Sequence, residues 1–516
     1  MNMRRILLLG LLFIICTLGY TQRSAKWLTG AGNVIDFTVS PTISYLECDS
    51  FNNSWFAHGH SMICDKKGDI LFEATPYYIL KNNCTVNVVD NGYYNSNMRW
   101  EKEEGGNGYY PQLGIILPKK DDQYYSFYKT MSNEALDSLD ANLSDFHYDL
   151  FRYHIVDMKE NNGNGKVILK EQNIMEGARL SPNALSAVQH ANGRDWWLVM
   201  PHREKDWLYT FLVTPDAIVP YPVQDMGGPD FHASNWGQSN FSPDGSLYAV
   251  TQYGSPYTQV NSFDRCTGKM TRLKSIAPIN DTVEYFDPIF QKDTFSLSPA
   301  QSGVCFSSDS RFLYMVSEYD VLQYELSKDT YSWLRNDGLY NNASYVQAYN
   351  APDGRIYLGN WQGTESSISY IEFPLKKGLD AHLCQFCLPT IFISMSPPNM
   401  PNYELGALAG SACDTLRFAP IVAETPIVVP NAFSPNGDGL NDTWHILNIA
   451  ALQYKGYIVE SVSIYNRWGN EVFKSSDINF AWDAKGWVSD SYYYYIRYKT
   501  KEGASKVQKG SVSVVR

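Results

Sequence analysis

A chain of 516 residues is too long for one ordinary core, and its formal net charge of −12 argues against a nucleic-acid backbone as partner. The length fits one large and one small domain, since a repeat array can exceed the usual domain size without splitting. At the N-terminus Arg4 and Arg5 precede an apolar run from Ile6 to Leu18, followed by Gly19, Tyr20 and Thr21. That is the order of a secretory signal peptide, and the run is too short for a membrane span, so residues 1–21 are expected to be removed. Without Arg4 and Arg5 the formal charge becomes −14. Cys16 leaves a lipoprotein alternative, against which stands the large Ile15 before it. No other stretch reaches about 18 uninterrupted apolar residues, so no membrane span is expected after cleavage.

From about residue 33 to 416 the chain reads as short β segments cut by Asp/Asn/Gly turns. Lys67-Gly68-Asp69, Asp121-Asp122, Asn192-Gly193-Arg194-Asp195, Ser242-Pro243-Asp244-Gly245, Ser308-Asp309-Ser310 and Ala351-Pro352-Asp353-Gly354 each precede an aromatic or β-branched run. Their spacing, about 40 to 70 residues, is that of a four-stranded propeller blade with loop insertions. Val34–Val39 and Ile391–Ser394 are left over, and pairing them would close a ring and remove its free edges. The expectation is an all-β chain: a β-propeller of six to eight blades, with seven preferred, over 33–416. Only 133–146 has a helical composition, and it falls where an insertion between strands would.

Candidate chemistry in this region is thin. His58-Gly59-His60 puts two imidazoles on one side of an extended strand, but no third ligand follows by spacing. His147, His154, His190 and His202 have no spacing argument. Glu284, Asp287, Glu318 and Asp320 form an acid/base pair only if folding brings them together, and surface charge is the preferred reading. Trp196, Trp197, Trp207, Trp236 and Trp361 suit sugar stacking, yet blades need large side chains to fill the gaps between them. No catalytic motif is found. Eight cysteines remain once Cys16 is removed, an even number that favours disulfides in an exported chain, with about a hundred pairings open. Cys384-x-x-Cys387 reads as part of that framework, because no second pair completes a zinc site.

Residues 417–426, with Pro420 and Pro426, read as an extended linker. The remainder, 427–516, opens on Pro430-Asn-Ala-Phe-Ser-Pro-Asn-Gly-Asp-Gly-Leu-Asn-Asp-Thr-Trp444, a chain of turn formers between strands. Tyr492, Tyr494, Ile496 and Tyr498 then fall on one face of a strand and Tyr493, Tyr495, Arg497 and Lys499 on the other. Ser511 to Val515 alternates likewise and is expected to close one edge of a small antiparallel Ig-like sandwich, with Val512 and Val514 inward. The loop 434–442 has a partial calcium register: Ser434, Asn436, Asp438 and Gly439 match an EF-hand-type loop, whereas His445 stands where a carboxylate belongs, so turn structure is preferred.

The opening stretch, with Ile464-Tyr-Asn-Arg-Trp-Gly-Asn-Glu-Val-Phe473, Trp482-Asp483, the run Tyr492 to Tyr495 and the final Gly510 to Arg516, resembles the gliding motility-associated C-terminal domain. In that family the domain is the type B sorting signal of the type IX secretion system. Asn431, Phe433, Asn436, Asp438, Asp442, Asn466, Arg467, Trp468, Gly469 and Asn470 match its motif. The chain departs from it at Ala484, where the family has glycine, and at Ser489-Asp490-Ser491, where it has Pro-x-Gly. The pieces Val188 to Trp197, Asn240 to Gly245, Pro352 to Tyr357 and Pro401 to Gly406 look like the propeller that precedes this domain in such proteins. The resemblance implies a secreted or outer-surface protein reaching its place through the periplasm, with the type IX machinery at the outer membrane as partner. For the propeller it leaves two readings: a binding or structural module with a glycan or protein ligand, or an exported enzyme acting on polysaccharide, lyase or hydrolase.

Overall fold

The computed structural model describes residues 22–516 apart from 31, 39–40, 46–58, 76–77, 82–87, 94–109, 142–146, 229–236, 254, 256, 278–280, 288–291, 298–301, 318–319, 335–344, 361–365, 391–395, 415–426, 428, 438–440, 448, 450–451, 453–456 and 501–502. The signal region 1–21, the linker 417–426, Ile391–Ser394, Cys48 and Cys84 therefore lie outside the described residues.

Runs of β-branched and aromatic residues broken every few positions by turn formers pair with the next run along the chain, and antiparallel meanders result. Seven blade-sized sheets form in this way among the described residues. Blade 1 holds Lys26–Thr29, Asn33–Asp36 and Thr42–Tyr45, so the first sheet begins ahead of residue 33. Blade 2 holds Ser61–Cys64, Ile70–Ala74, Tyr78–Lys81 and Val88–Tyr93; blade 3 holds Gly114–Pro118, Gln123–Thr130, Tyr148–Asp157 and Lys166–Leu180. A single parallel pair, Lys166 with Asp90, joins these two. Blade 4 is Ser186–Gln189, Trp196–Pro201, Trp207–Val213 and Ile218–Pro220; blade 5 is Gly237–Phe241, Leu247–Gln252, Thr258–Phe263 and Met270–Ile276. Blade 6 is Gly303–Phe306, Phe312–Val316, Val321–Glu325 and Thr330–Trp333; blade 7 is Tyr345–Asn350, Ile356–Asn360, Ser367–Ile371 and Leu383–Pro389. A hairpin of Asp281–Asp287 and Lys292–Leu297 is inserted between blades 5 and 6, and a helix, Asn133–Ala141, between the second and third strands of blade 3.

All six turns singled out in the sequence join the first and second strands of a blade, in blades 2 to 7. Apolar clusters then close the circle. Leu28, Val34, Met62 and Leu80 fill the seam between blades 1 and 2; Phe72, Phe127, Phe151 and Phe211 tie blades 2, 3 and 4. Trp197 with Tyr248, Val260 with Met315, Tyr314 with Ile356, and Trp27 with Tyr357 mark the remaining seams, the last joining blade 7 to blade 1. Large side chains at every seam are what wedge-shaped gaps between twisted sheets require.

Among the described residues blade 1 shows no inner strand of its own, and residues 396–400 lie in that place. Thr29 Oγ1 donates to Ser396 O at 3.1 Å, and Asn399 N donates to His60 O at 3.0 Å. On the other side a Cβ at Gly359 would stand 2.4 Å from Ser396 Oγ, so only glycine lets the segment lie against blade 7. Pro397, Pro398 and Pro401 remove N–H donors, which is why this closing segment forms no regular ladder. The chain then runs over the face that carries the first-to-second-strand turns: Asn402 Nδ2 donates to Pro243 O, Gly406 N to Gln189 Oε1 and Leu408 N to Ala191 O. A disulfide from Cys413 to Cys266 of blade 5 anchors its end.

The C-terminal unit is a five-stranded sheet ordered Ala432–Phe433, Ser505–Val514, Ser491–Lys499, Ile458–Tyr465, Glu471–Ser475. Its inner face, Tyr492, Tyr494, Ile496, Tyr498, Val512 and Val514, is buried. Irregular segments supply the opposing layer, held by one bridge in which Trp444 and Trp482 exchange backbone bonds at 2.8 and 2.9 Å. The terminal strand does bury Val512 and Val514, but it is not an edge: Ala432–Phe433 pairs with it in parallel, with Ser513 N donating to Asn431 O and Val515 N to Phe433 O. Ala484 takes φ 49°, the left-handed region that glycine serves in the family motif, and its methyl group is fully buried, so packing offsets the backbone strain.

Candidate functional site

The opening loop of the C-terminal domain is built by side chains acting on backbone. Asp442 Oδ1 accepts from Asn436 N at 3.0 Å and Gly437 N at 2.6 Å, and Ser434 N donates to Asn441 O at 2.9 Å. This is how an aspartate closes a turn. Asp438 and Gly439 of the candidate calcium register lie outside the described residues; the described oxygen of Asp442 is committed to the turn. Asn431 contributes its carbonyl to the terminal strand, and Phe433 is buried 5.4 Å from the ring of Trp482. Asn431, Phe433, Asn436 and Asp442 thus serve folding.

The second motif stretch divides differently. Asn466 Oδ1 accepts from Trp468 N and Asn470 N, both at 3.0 Å, and Gly469 takes φ 81°, so Asn466, Gly469 and Asn470 shape a tight hairpin turn. That turn pushes Arg467 and Trp468 into solvent. Trp468 is 75% exposed, its ring 5.0 Å from the Arg467 guanidinium, and Arg467 reaches Asp490 at 3.4 Å. A tryptophan this exposed adds almost nothing to the fold, which makes it the strongest recognition candidate among the motif residues. The outer sheet face continues the patch. Tyr465 stands opposite Tyr493, and Lys474, Ser463, Tyr495 and Lys509 form the next row across, with Tyr493 and Tyr495 about half exposed. Residues 427–516 carry ten Lys/Arg against eight Asp/Glu, a formal +2 on a chain of −12. This domain presents an aromatic and basic face, on a protein that is otherwise acidic.

In the propeller, buried amides occupy the axis. Gln112 Oε1 accepts from Ser239 N and its Nε2 donates to Ser239 O and to Asn399 Oδ1; Asn399 Nδ2 donates to Gly114 O and Leu185 O. Gln238 Oε1 accepts from Val304 N and Ala348 N, and its Nε2 donates to Ala348 O. Three amides therefore knit the inner strands of blades 3 to 7 where no ladder can run. None was legible as a site residue, because periodicity marks polar positions as exposed.

Near the ends of second strands further polar groups are buried: Lys129, Asn183, Gln252, Asn360 and Glu73. Lys129 Nζ donates to Ser181 O at 2.9 Å and Asn183 O at 2.7 Å, while both polar side-chain atoms of Gln252 and of Asn360, Asn183 Nδ2 and Glu73 Oε2 have no hydrogen-bond partner among the described residues. Burial holds Lys129 well below the usual lysine range and pushes Glu73 well above the usual carboxylate range. For Lys129 the unfolded chain binds the proton more tightly, so stability rises with pH up to the free lysine value of about 10.4. Replacing Lys129 by Met should flatten that rise, read from urea midpoints between about pH 7 and about pH 9.5.

His60, His154, His190 and His202 are held as structural groups. His60 Nε2 lies 3.0 Å from Leu28 O, and His154 stacks on Tyr128 at 4.8 Å and is pushed down to about 3, mainly by burial. His190 Nδ1 accepts from Asn192 N and His202 Nδ1 from Glu204 N, each shaping a turn; His147 is half-buried at the start of a blade 3 strand, and His58 is outside the described residues. Trp196 and Trp197 are core, Trp207 carries Lys205 over its ring at 4.0 Å, and Trp236 and Trp361 are outside the described residues. Asp320 is buried, Glu284 and Asp287 fall on the inserted hairpin, and Glu318 is outside the described residues.

Residues 427–514 match the family model described as CHU_C Type IX secretion signal domain. A search of the curated proteins matches none to this sequence. Among solved structures, a protein from Lactobacillus plantarum is 11% identical with a TM-score of 0.38, over 73% of this chain and 98% of its own. A candidate 6-phosphogluconolactonase from Bacteroides uniformis is 10% identical with a TM-score of 0.39, over 72% and 99%. An oligogalacturonate lyase in complex with manganese is 15% identical with a TM-score of 0.33, over 66% and 84%. No helix among the described residues is long and apolar enough to cross a membrane.

Proposed function

We propose that this chain is a propeller protein delivered by type IX secretion to the cell surface or the medium, where the propeller works as a binding or structural module. In this division residues 1–21 carry the chain across the inner membrane and are removed, the propeller runs from the strand at Lys26, ahead of the expected start at 33, to 416, residues 417–426 link it, and 427–516 are the address. The match of 427–514 to a secretion signal domain carries the reading. That domain has its own core, from Ile427 and Phe433 through Trp444 and Trp482 to Val514, which includes no propeller residue. Within it, the exposed Arg467-Trp468 hairpin and the Tyr493 and Tyr495 face are the surface we assign to recognition by the outer-membrane machinery.

Two experiments test this. Deleting 425–516 should leave a folded propeller trapped in the periplasm, and normal surface or medium levels of the truncated protein would sink the reading. Trp468→Ala in the full chain should change stability by less than about 0.5 kcal/mol, because the ring is exposed, yet lower export several-fold in cell fractionation. Unchanged export would remove the hairpin from the recognised surface. The enzyme alternative is addressed by assaying the propeller against a panel of polysaccharides for lyase or hydrolase products.

A further inference from the structure

We propose that the Cys384–Cys387 disulfide is a thiol–disulfide exchange site on the rim of blade 7, reacting with small thiols. The pair sits on Leu383–Pro389, the outermost strand of that blade, with a sequence separation of 3. So short a ring removes little entropy from the unfolded chain, because loop-closure entropy grows with the logarithm of loop size; the Cys266–Cys413 bond, with a separation of 147, is the one that staples the fold. A bond that does little for stability and lies at an exposed edge is the kind that exchanges.

The local backbone points the same way. Across the strand pair, Ile368 faces Leu388 and Tyr370 faces Cys384, with a register shift between them, so Gln385, Phe386 and Cys387 bulge opposite Ser369 alone. Phe386 takes φ 55°, and its N–H donates to Ser369 Oγ at 2.9 Å. The disulfide clamps this bulge. Its two sulfurs are unequally open: Cys387 is exposed and Cys384 half-buried. Cys384 stands across from Tyr370, whose ring has the Arg355 guanidinium over it at 4.5 Å, and His382, two residues ahead, is held by Glu372 at 2.6 Å. The Arg355 charge is shared with Asp353 at 3.8 Å and Glu372 at 3.5 Å, so the difference in exposure is what makes Cys387 the attacked sulfur and Cys384 the leaving one.

The step follows. A small thiolate attacks Cys387 Sγ, a new S–S bond forms there, and the Cys384–Cys387 bond breaks with its electron pair leaving on Cys384. A second thiolate attacks the added sulfur, releasing the external disulfide and leaving Cys387 as the second protein thiolate. Two external thiols are thereby oxidised to one disulfide, the protein disulfide is reduced to two thiols, and the protons of the external thiols end on the cysteines. Loss of the bond unclamps the bulge on the outer strand.

The test is equilibration of the full chain in glutathione buffers, acid quench, alkylation and peptide mass spectrometry. Cys384–Cys387 should open at least about tenfold faster than Cys266–Cys413, whose persistence also reports an intact fold. With Cys384→Ser, oxidised glutathione should add to Cys387; with Cys387→Ser, addition to Cys384 should be at least about tenfold slower. Equal opening of the two disulfides, or Cys266–Cys413 opening first, overturns the exchange site. Equal labelling of the two single variants overturns the assignment of Cys387 as the attacked sulfur.

Discussion

Replacing both Cys266 and Cys413 by serine should lower the stability of the propeller by about 2 to 4 kcal/mol, and the loss should be felt first in residues 402–414. The bond closes a loop with a sequence separation of 147, for which the chain-entropy relation gives about 5 kcal/mol. Part of that is already secured, because the same segment is held by other means. Tyr403 Oη donates to Ile116 O at 2.8 Å, and Arg265, the neighbour of Cys266, donates through Nε to Gln189 O and through its other nitrogens to the carbonyls of Asp244, His190 and Gly406. Burial pushes the Arg265 guanidinium down to about 10, so it stays a cation at neutral pH and keeps those acceptors. Without the disulfide the closing segment 396–400 should stay in place, since Asn399 is fixed to blades 2, 3 and 4. The measurements are urea midpoints and limited proteolysis, with new cleavage expected between 404 and 414. An unchanged midpoint and cleavage pattern would show that Arg265 and the hydrogen bonds of residues 402–408 hold the end of the chain without the disulfide.

What could be read from the sequence follows from how local each signal is. The six turns were legible because Asp-Gly, Asn-Gly and their kin act on their own backbone, whatever the rest of the chain does. Their common place between the first and second strands of each blade was not legible, since that depends on which sheet edge faces the axis. The place of residues 396–400 was not legible for a chemical reason: Pro397 and Pro398 have no N–H to pair, so nothing local marks a strand position that Asn399 and Ser396 secure through distant carbonyls and hydroxyls. Gln112, Gln238 and Asn399 were silent because a buried amide looks like a solvated one until the topology supplies its partners. In the C-terminal domain the motif residues were found together but their roles were not separable. Phe433 and Trp468 are both aromatic motif positions, and only burial shows that the first is core and the second is surface.

The alternation of Ser511 to Val515 shows the same limit, and it sharpens the expected result of changing that strand. A period of two says which side chains share a face, and Val512 and Val514 are indeed buried; it does not say what lies beside the strand. Because Ser505–Val514 is flanked by Ser491–Lys499 on one side and Ala432–Phe433 on the other, its loss would break both ladders and release Phe433 from Trp482. Replacing Val512 and Val514 together by Asp puts two carboxyl groups among Trp482, Tyr492 and Ile496, at a combined cost of at least about 4 kcal/mol. A domain of this size has little more than that to lose. The double variant should therefore lose the C-terminal fold, seen as new protease cleavage confined to 427–516, and fail to be exported, while the propeller keeps its resistant core. Replacing Ser511 and Ser513 by Asp, on the outer face, should leave the fold within about 1 kcal/mol of the parent. Equal export of the two double variants would mean that the machinery does not need the folded sheet and reads the Asn466 to Asn470 hairpin as a short linear element.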